Sequence, residues 1–236
     1  IDFTIFRENT EGSYVGIGGF LKKGTADEVA VQEEINTYKG VERICRAAFD
    51  WAVANGKKKV LMADKSNVMR YGHDLWQRVF FGLAKEYPSI VASHMFVDAL
   101  CMQLVRAPEQ FEVIVSNNMF GDILTDLGAA LQGGLGVAGS ANLHPGRTSM
   151  FEPVHGSAPK YAGSGRANPL GAILSTALML ENLGHRQAAL EIEGLVGESI
   201  RSGKTTHDLG GSLTTSEVGD LVARAVGTAG TAAAVS

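Results

Sequence analysis

The feature that most constrains the fold is a switch of hydrophobic period that recurs along the chain. KKVLMAD (58–64), IVASHMFVD (90–98) and FEVIVSN (111–117) are short apolar runs with polar borders, and each predicts a strand. After each run the apolar residues return at helical spacing. Leu75, Trp76, Val79, Phe80 and Leu83 predict a helix over 73–86, and shorter helices are expected over 99–107 and 119–132. Strands that alternate with helices predict an α/β architecture. Upstream, IDFTIFRE (1–8) predicts a strand ending in Arg7-Glu8, and the glycines of 13–26 predict a loop or hairpin. EVAVQEEINTY (28–38) alternates with period two, so a strand with one packed and one wet face is expected. Val41, Ile44, Cys45, Ala48, Phe49 and Ala52 form a helical stripe that Asn55-Gly56 stops. Downstream of the glycine-rich 133–140, helices are expected near 170–183, 186–201 and 216–226, with the small-residue tail GTAGTAAAVS frayed.

Composition narrows the partners. With 45% hydrophobic and 19% charged residues in 236, the chain can bury a sizeable core. A net charge of -4 gives no global attraction to nucleic acid or to an anionic membrane, and Lys57-Lys58-Lys59 reads as a solvated helix end. No apolar run reaches the roughly 18–20 residues that span a bilayer. Cys45 and Cys101 each sit inside an apolar pattern, which predicts buried free thiols in a reducing, cytoplasmic setting. The first residues, Ile1-Asp2-Phe3, lie inside a strand pattern without an initiator methionine, so a piece of a longer protein is expected.

Three carboxylates carry the first chemical hint. Asp122 and Asp126 lie four apart in NNMFGDILTDLGAAL, on one face of a helix, where like charges repel unless a positive group sits between them. Asp98 is expected to end a strand, a position where α/β folds place functional groups. With no Cys/His set nearby, such acids suit Mg²⁺ or Mn²⁺; ordinary helix-surface acids are the other reading. Arg7 and Glu8 at a strand end, Tyr14 in the glycine-rich segment and Lys65 just past a strand are candidates for cationic or acid–base work; a surface charge or a half-buried ring is the other reading of each. Gly134-Leu135-Gly136-Val137-Ala138-Gly139 matches G-x-G-x-x-G, but a helix precedes it and Asn142-Leu143-His144-Pro145 follows, so a flexible glycine loop is expected instead of a dinucleotide fingerprint. EPVHGSAPKYAGSGRANP (152–169) fits neither period and precedes an apolar helical run.

Six segments then appear in order: RENTEGSYVG (7–16), ADKSNVMRYG (63–72), VDALCMQLV (97–105), NNMFGDILTDLGAALQGGLG (117–136), FEPVHGSAPKYAGSGRANP (151–169) and THDLGGSLTT (206–215). Together they resemble the β-decarboxylating dehydrogenases, the family that acts on isopropylmalate, isocitrate, homoisocitrate or tartrate. The resemblance runs to about residue 226 and covers the last two-thirds of such an enzyme. It implies the two-lobed isocitrate/isopropylmalate dehydrogenase-like fold with its N-terminal third absent. Residues 1–135 would form the central dimerisation, metal and substrate lobe, and 136–236 the C-terminal part of the cofactor-binding lobe.

The same resemblance implies roles. Arg7 would bind the malate part of the substrate, Tyr14 would protonate the enol, and Lys65 would help deprotonate the substrate hydroxyl. Asp98, Asp122 and Asp126 would surround Mg²⁺ or Mn²⁺. Lys65 and Asp98 would reach the site from the neighbouring subunit of a homodimer, with 13–38 as the dimer arm. The dinucleotide would lie on Asn67, Glu152, His155, Gly156, Ser157, Ala158, Lys160, Tyr161 and Asn168, with His155 packing on the adenine and Asn168 hydrogen-bonding it. Lys160-Tyr161 departs from the acid that NAD-using members carry and resembles NADP users, but the further phosphate-binding positions match His207 and Gly211. One exposed lysine contributes about 1 kcal/mol, so NAD is expected, with NADP possible. FEPVHGSAP is nearer the isopropylmalate branch; RENTEGSYVGIGG also resembles the tartrate branch, and a non-catalytic subunit or fragment is the remaining alternative. Retention of Arg7, Tyr14, Lys65 and the three acids argues against a non-catalytic subunit; an inactive fragment of an active parent is a separate option.

Overall fold

The alternation over 58–132 folds into a parallel sheet in the computed structural model, which describes residues 1–144 and 146–233. In chain order the elements of the first part are β1 (Thr4–Arg7), β2 (Gly18–Leu21), β3 (Val29–Gln32), α1 (Tyr38–Ala54), β4 (Lys59–Asp64), α2 (Gly72–Ala84), β5 (Val91–Phe96), α3 (Val97–Arg106), β6 (Val113–Ser116) and α4 (Asn118–Leu131). The sheet order is β1-β6-β4-β5, and every pairing in it is parallel. Parallel strands are covered on both faces, and five of the six β4 residues are buried accordingly. The chain divides into two compact units, Ile1–Gly128 and Ala129–Ser236.

The core of the first unit is the stripe read from the sequence. Val41, Cys45, Ala48, Phe49 and Ala52 of α1 meet Trp76, Val79, Phe80 and Leu83 of α2 over Val60, Met62, Val113 and Val115 of the sheet. Phe49 stacks on Phe80 at 5.2 Å and on Tyr87 at 4.9 Å between ring centroids. Truncating such a residue to alanine costs about 3–5 kcal/mol. α1 starts at Thr37, whose hydroxyl accepts the Gly40 N–H at 3.0 Å.

Several expectations need correcting. The strand expected over 28–38 shrinks to β3, which pairs antiparallel with β2. No face of this hairpin is packed: Phe20, Leu21, Val29 and Val31 are all about half exposed or more, because nothing in the unit lies over a ribbon of only two strands. Asp98 does not end a strand; it stands in the first turn of α3, since β5 closes at Phe96. The lysine run is no helix end: α1 stops at Ala54, Lys57 pairs with Asp2 at 2.6 Å, and the Lys58 and Lys59 amides donate to Glu112 at the start of β4. Cys45 is buried, but Cys101 is only half-buried.

The second unit holds an antiparallel pair, β7 (Gly139–Asn142) and β8 (Met150–Pro153), and helices α5 (Leu170–Asn182), α6 (Arg186–Arg201) and α7 (Thr215–Ala233). Val137, Leu170, Val196, Val218 and Val222 form its core. The glycines of 134–139 do not form a flexible loop. Leu135–Val137 make a 3-10 turn leading into β7, and a Cβ on Gly139 would stand 3.0 Å from the Ser175 nitrogen, so the strand lies directly on α5. The 152–169 segment is not loop throughout, for its first two residues close β8. α7 continues to Ala233, through most of the tail expected to fray; residues 234–236 lie outside the described residues. Among the described residues no helix is long and apolar enough to cross a membrane.

Candidate active site

A parallel sheet brings all its carboxyl ends to one edge, where open α/β sheets bind ligands. Arg7 is the last residue of β1, Lys65 follows β4 directly, Asp98 comes two residues after β5, and Asn117-Asn118 joins β6 to α4. The sheet register thus gathers groups that are far apart in sequence.

Arg7 is the centre of one cluster. Its Nε and one terminal nitrogen donate to Asn118 Oδ1 at 3.0 and 2.8 Å, and the other terminal nitrogen donates to Asp122 Oδ1 at 2.5 Å. The Arg7 stem runs along α4 over Gly121, where a Cβ would come within 2.6 Å of Arg7 Cγ. Tyr14 stands over the guanidinium at 5.5 Å, and its hydroxyl donates to Asp122 Oδ2 at 3.1 Å. Asn118 in turn donates to the Glu11 carbonyl at 3.0 Å. The hydrogen bond to Asp122 pushes the Tyr14 phenol above its ordinary value, with burial and the Asp122 charge adding and Arg7 opposing. The phenol therefore keeps its proton at neutral pH.

Lys65 belongs to a second pair. Its ammonium group lies 2.7 Å from Asp98 Oδ2, over the Phe96 ring. The bond from Lys65 holds the Asp98 carboxyl below its usual range, against burial. Asp126 is exposed on α4. Among the described residues no three His, Cys, Asp or Glu side chains come close enough to hold a metal. Asp122 and Asp126 form an oxygen-only donor pair at helical spacing, the chemistry a hard divalent cation requires. Two carboxylates leave room in a six-coordinate shell for substrate, water or another acid.

The 152–169 segment is built differently. Glu152 is exposed in β8. His155 Nδ1 lies 2.9 Å from the Gly156 carbonyl, and its Nε2 is buried with no hydrogen-bond partner among the described residues. Ser157 is exposed, and Ala158, at φ 47°, sits in the left-handed region just before the 3-10 turn Pro159–Tyr161. Lys160 and Tyr161 are exposed, with the ammonium group 5.8 Å from the ring centroid. Asn168 is buried; its Nδ2 donates to Asp208 at 2.9 Å, and its Oδ1 accepts the Leu170 N–H that opens α5. Exposed Gly156, Ser157 and Lys160 around the 3-10 turn leave backbone and a cation open to a ligand, which fits a dinucleotide. His207 is exposed, and Gly211 lies so close to the Thr205 carbonyl that no side chain fits there unmoved. Asn67 is exposed in the turn after β4.

The structure thus brings Arg7, Tyr14 and Asp122 together and pairs Lys65 with Asp98. Sequence reasoning missed Asn118, Asp208 and a buried set formed by His73, Glu34 and Asn117. The Asn-Asn doublet between a strand and a helix was the available signal, because asparagine there can cap the helix.

A profile of the isocitrate/isopropylmalate dehydrogenase family matches residues 1–222. The chain is 46% identical over 228 residues to 3-isopropylmalate dehydrogenase of Thermobifida fusca (strain YX), covering 96% of this chain and 64% of that protein. It is 47% identical over 228 residues to 3-isopropylmalate dehydrogenase of Streptomyces coelicolor (strain ATCC BAA-471 / A3(2) / M145), covering 96% and 65%. Among solved structures, isocitrate dehydrogenase from Methylococcus capsulatus is similar with a TM-score of 0.88 and 41% identity, over 95% of this chain and 67% of that one. The chain therefore spans a little under two-thirds of the length of these curated relatives.

Proposed function

The chain belongs to the isocitrate/isopropylmalate dehydrogenase family, and on that footing we propose that it carries the active site of a metal-dependent NAD enzyme that oxidises and decarboxylates a 2-hydroxy dicarboxylic acid, with 3-isopropylmalate as the substrate. The observation that carries this reading is the Arg7–Tyr14–Asp122 cluster: a carboxylate-binding cation, a protonated phenol and a metal-type acid meet at the end of β1. The names of the similar curated proteins favour isopropylmalate over isocitrate or tartrate.

Asp122 and Asp126 would hold Mg²⁺ or Mn²⁺, and a bound cation supplies Lewis-acid stabilisation of charge on the substrate oxygens. Arg7 binds the substrate carboxylate, its fork kept in plane by Asn118. Lys65 Nζ, as the neutral amine, would take the proton of the C2 hydroxyl, and a bound dinucleotide would supply the hydride acceptor. The resulting β-keto acid loses CO₂, and the electron pair of the broken C–C bond passes into the enol. Tyr14 Oη then gives its proton to the carbon that CO₂ left. Lys65 and Asp98 serve the site of a second copy, and the exposed hairpin β2–β3 is the arm that meets it. The cofactor would be held by Glu152, His155, Gly156, Ser157, Ala158, Lys160, Tyr161 and Asn168. Two free cysteines suit a cytoplasmic setting.

The test is reduction of NAD and NADP by the full-length natural protein with isopropylmalate, isocitrate, homoisocitrate or tartrate. Turnover confined to isopropylmalate with NAD is the expected result; turnover with isocitrate alone refutes the substrate assignment, and none with any acid refutes the reading.

A further inference from the structure

His73 is fully buried near the start of α2, and the reaction described above gives it no part. Its ring is enclosed by polar partners from three other parts of the first unit. Nδ1 accepts the backbone N–H of Lys65 at 2.8 Å, so the ring proton resides on Nε2. Nε2 faces Glu34 Oε1 at 3.3 Å. Asn117 Nδ2 donates to the same oxygen at 3.0 Å, while Asn117 Oδ1 accepts the Phe120 N–H in the first turn of α4. Asn117 Nδ2 also lies 3.3 Å from His73 Nε2, so the two groups share Glu34 Oε1 as their acceptor. Phe120 packs on the His73 ring edge-to-face at 5.5 Å and closes the set.

The consequence falls on Lys65. Its carbonyl accepts the N–H groups of Val68 and Met69, both at 2.9 Å, and its own N–H goes to His73. Both backbone groups of the residue are therefore tied at the point where the chain leaves β4. Asp64, just before it, is held as well: its carboxylate accepts from the Ser66 N–H and from Gln77, and meets His94 Nε2 at 2.7 Å. A long side chain delivers its ammonium group to one place only if its Cα is fixed.

We propose that His73 is a positioning residue for Lys65: by holding the Lys65 amide through Nδ1 while Glu34 and Asn117 hold its other edge, it sets where the lysine ammonium group acts. The proposal deepens the dehydrogenase reading and rests on it for its kinetic arm only. Glu34 lies just past β3, so the same set ties the base of the hairpin to the lysine and to the helix that carries Asp122.

The test compares two amide substitutions in the full-length natural protein. Asn places an oxygen near Nδ1 and can still accept from Lys65; Gln reaches toward Nε2 and leaves the Lys65 amide unpartnered. His73→Gln is expected to lower kcat about 10- to 100-fold, the loss that follows a displacement of about 1 Å at a reacting group, with KM changed less than the kcat. His73→Asn is expected to recover most of that loss. Equal losses in the two variants, or none in either, would overturn the proposal, since a purely structural histidine has no reason to distinguish them. Hydrogen exchange of the Lys65 amide provides an arm that needs no turnover. In the wild-type protein this amide is expected to be protected, and in His73→Gln to exchange at least tenfold faster. Exchange at the unprotected rate in the wild type overturns the proposal even if the variants fail to fold. Absence of turnover in a wild-type protein whose Lys65 amide is protected counts against the dehydrogenase reading and leaves the positioning role standing.

Discussion

The two regions expected to bind small molecules are held together by opposite means. In the first unit, Arg7, Asn118, Asp122 and Tyr14 are one another's hydrogen-bond partners, so the charged groups are oriented before any ligand arrives. In the second unit, the segment from Glu152 to Tyr161 is largely exposed and shaped by its backbone, with a left-handed Ala158, a 3-10 turn and glycines. His155 Nε2 is buried beside Gly171 with no hydrogen-bond partner among the described residues. The lesson is that a site for proton and hydride chemistry needs side chains at fixed distances, whereas a site that grips an extended cofactor can rely on amides and on space. Damage in the first region should therefore appear in catalysis, and damage in the second in stability or cofactor affinity.

The largest break expected is at Arg7. Arg7→Lys keeps the charge but loses the planar fork that spans Asn118 and Asp122. kcat/KM should fall about 10²-fold, near the ~3 kcal/mol lost when one member of a bonded charge pair is removed. Steady-state kinetics with a circular dichroism control would show it, and a loss within twofold would erase the contrast between the regions. Next, Gly211→Ala forces a methyl against the Thr205 carbonyl and should destabilise the fold by about 1–3 kcal/mol in urea. Gly156 has open space around it; Gly156→Ala should leave stability within about 0.5 kcal/mol and raise the KM for the dinucleotide. Equal stability of the two variants would remove the distinction between a packing glycine and a binding one.

A smaller effect is expected at Lys160. Lys160→Asp should shift preference from NADP toward NAD by roughly fivefold to tenfold, in line with the ~1 kcal/mol of an exposed charge. Comparison of kcat/KM for the two cofactors measures it. The smallest is at Glu34. Burial alone would push its carboxyl up, but the hydrogen bond and positive character of His73, with hydrogen bonds from Asn36 and Asn117 adding, outweigh burial and hold it below its ordinary 4.5. Ionised Glu34 thus stabilises the fold above about pH 4.5, and that contribution is lost as pH falls through the lower folded value. Glu34→Gln should flatten the acid limb of Tm against pH by lowering the neutral plateau, with Tm in acid little changed.

Much of the first unit was legible because its core obeys simple periods. The α1 stripe from Val41 to Ala52 and the α2 stripe from Leu75 to Leu83 pack as their spacing says. The errors came where burial does not set the pattern. Val29 and Val31 alternate as a half-packed strand should, yet both are about half exposed, with nothing among the described residues packed over them. The site was less legible. Helical spacing put Asp122 and Asp126 on one face, but Arg7 is 115 residues from Asp122, and only the sheet register joins them. The helix expected over 73–86 begins at His73, whose partner Glu34 lies 39 residues away in sequence. No local period encodes a pairing of that kind.

The central claim is that the Arg7–Tyr14–Asp122 cluster is a metal-assisted dehydrogenase site, and Asp122→Asn tests it most directly. The measurement is NADH formation from 3-isopropylmalate by the full-length natural protein and this variant, with Mn²⁺ titrated against a chelator and folding followed in parallel. Wild-type turnover should require the cation, and Asp122→Asn, still folded, should lose at least about 10²-fold in kcat. Near wild-type turnover by Asp122→Asn, or wild-type turnover that survives complete chelation, would contradict it.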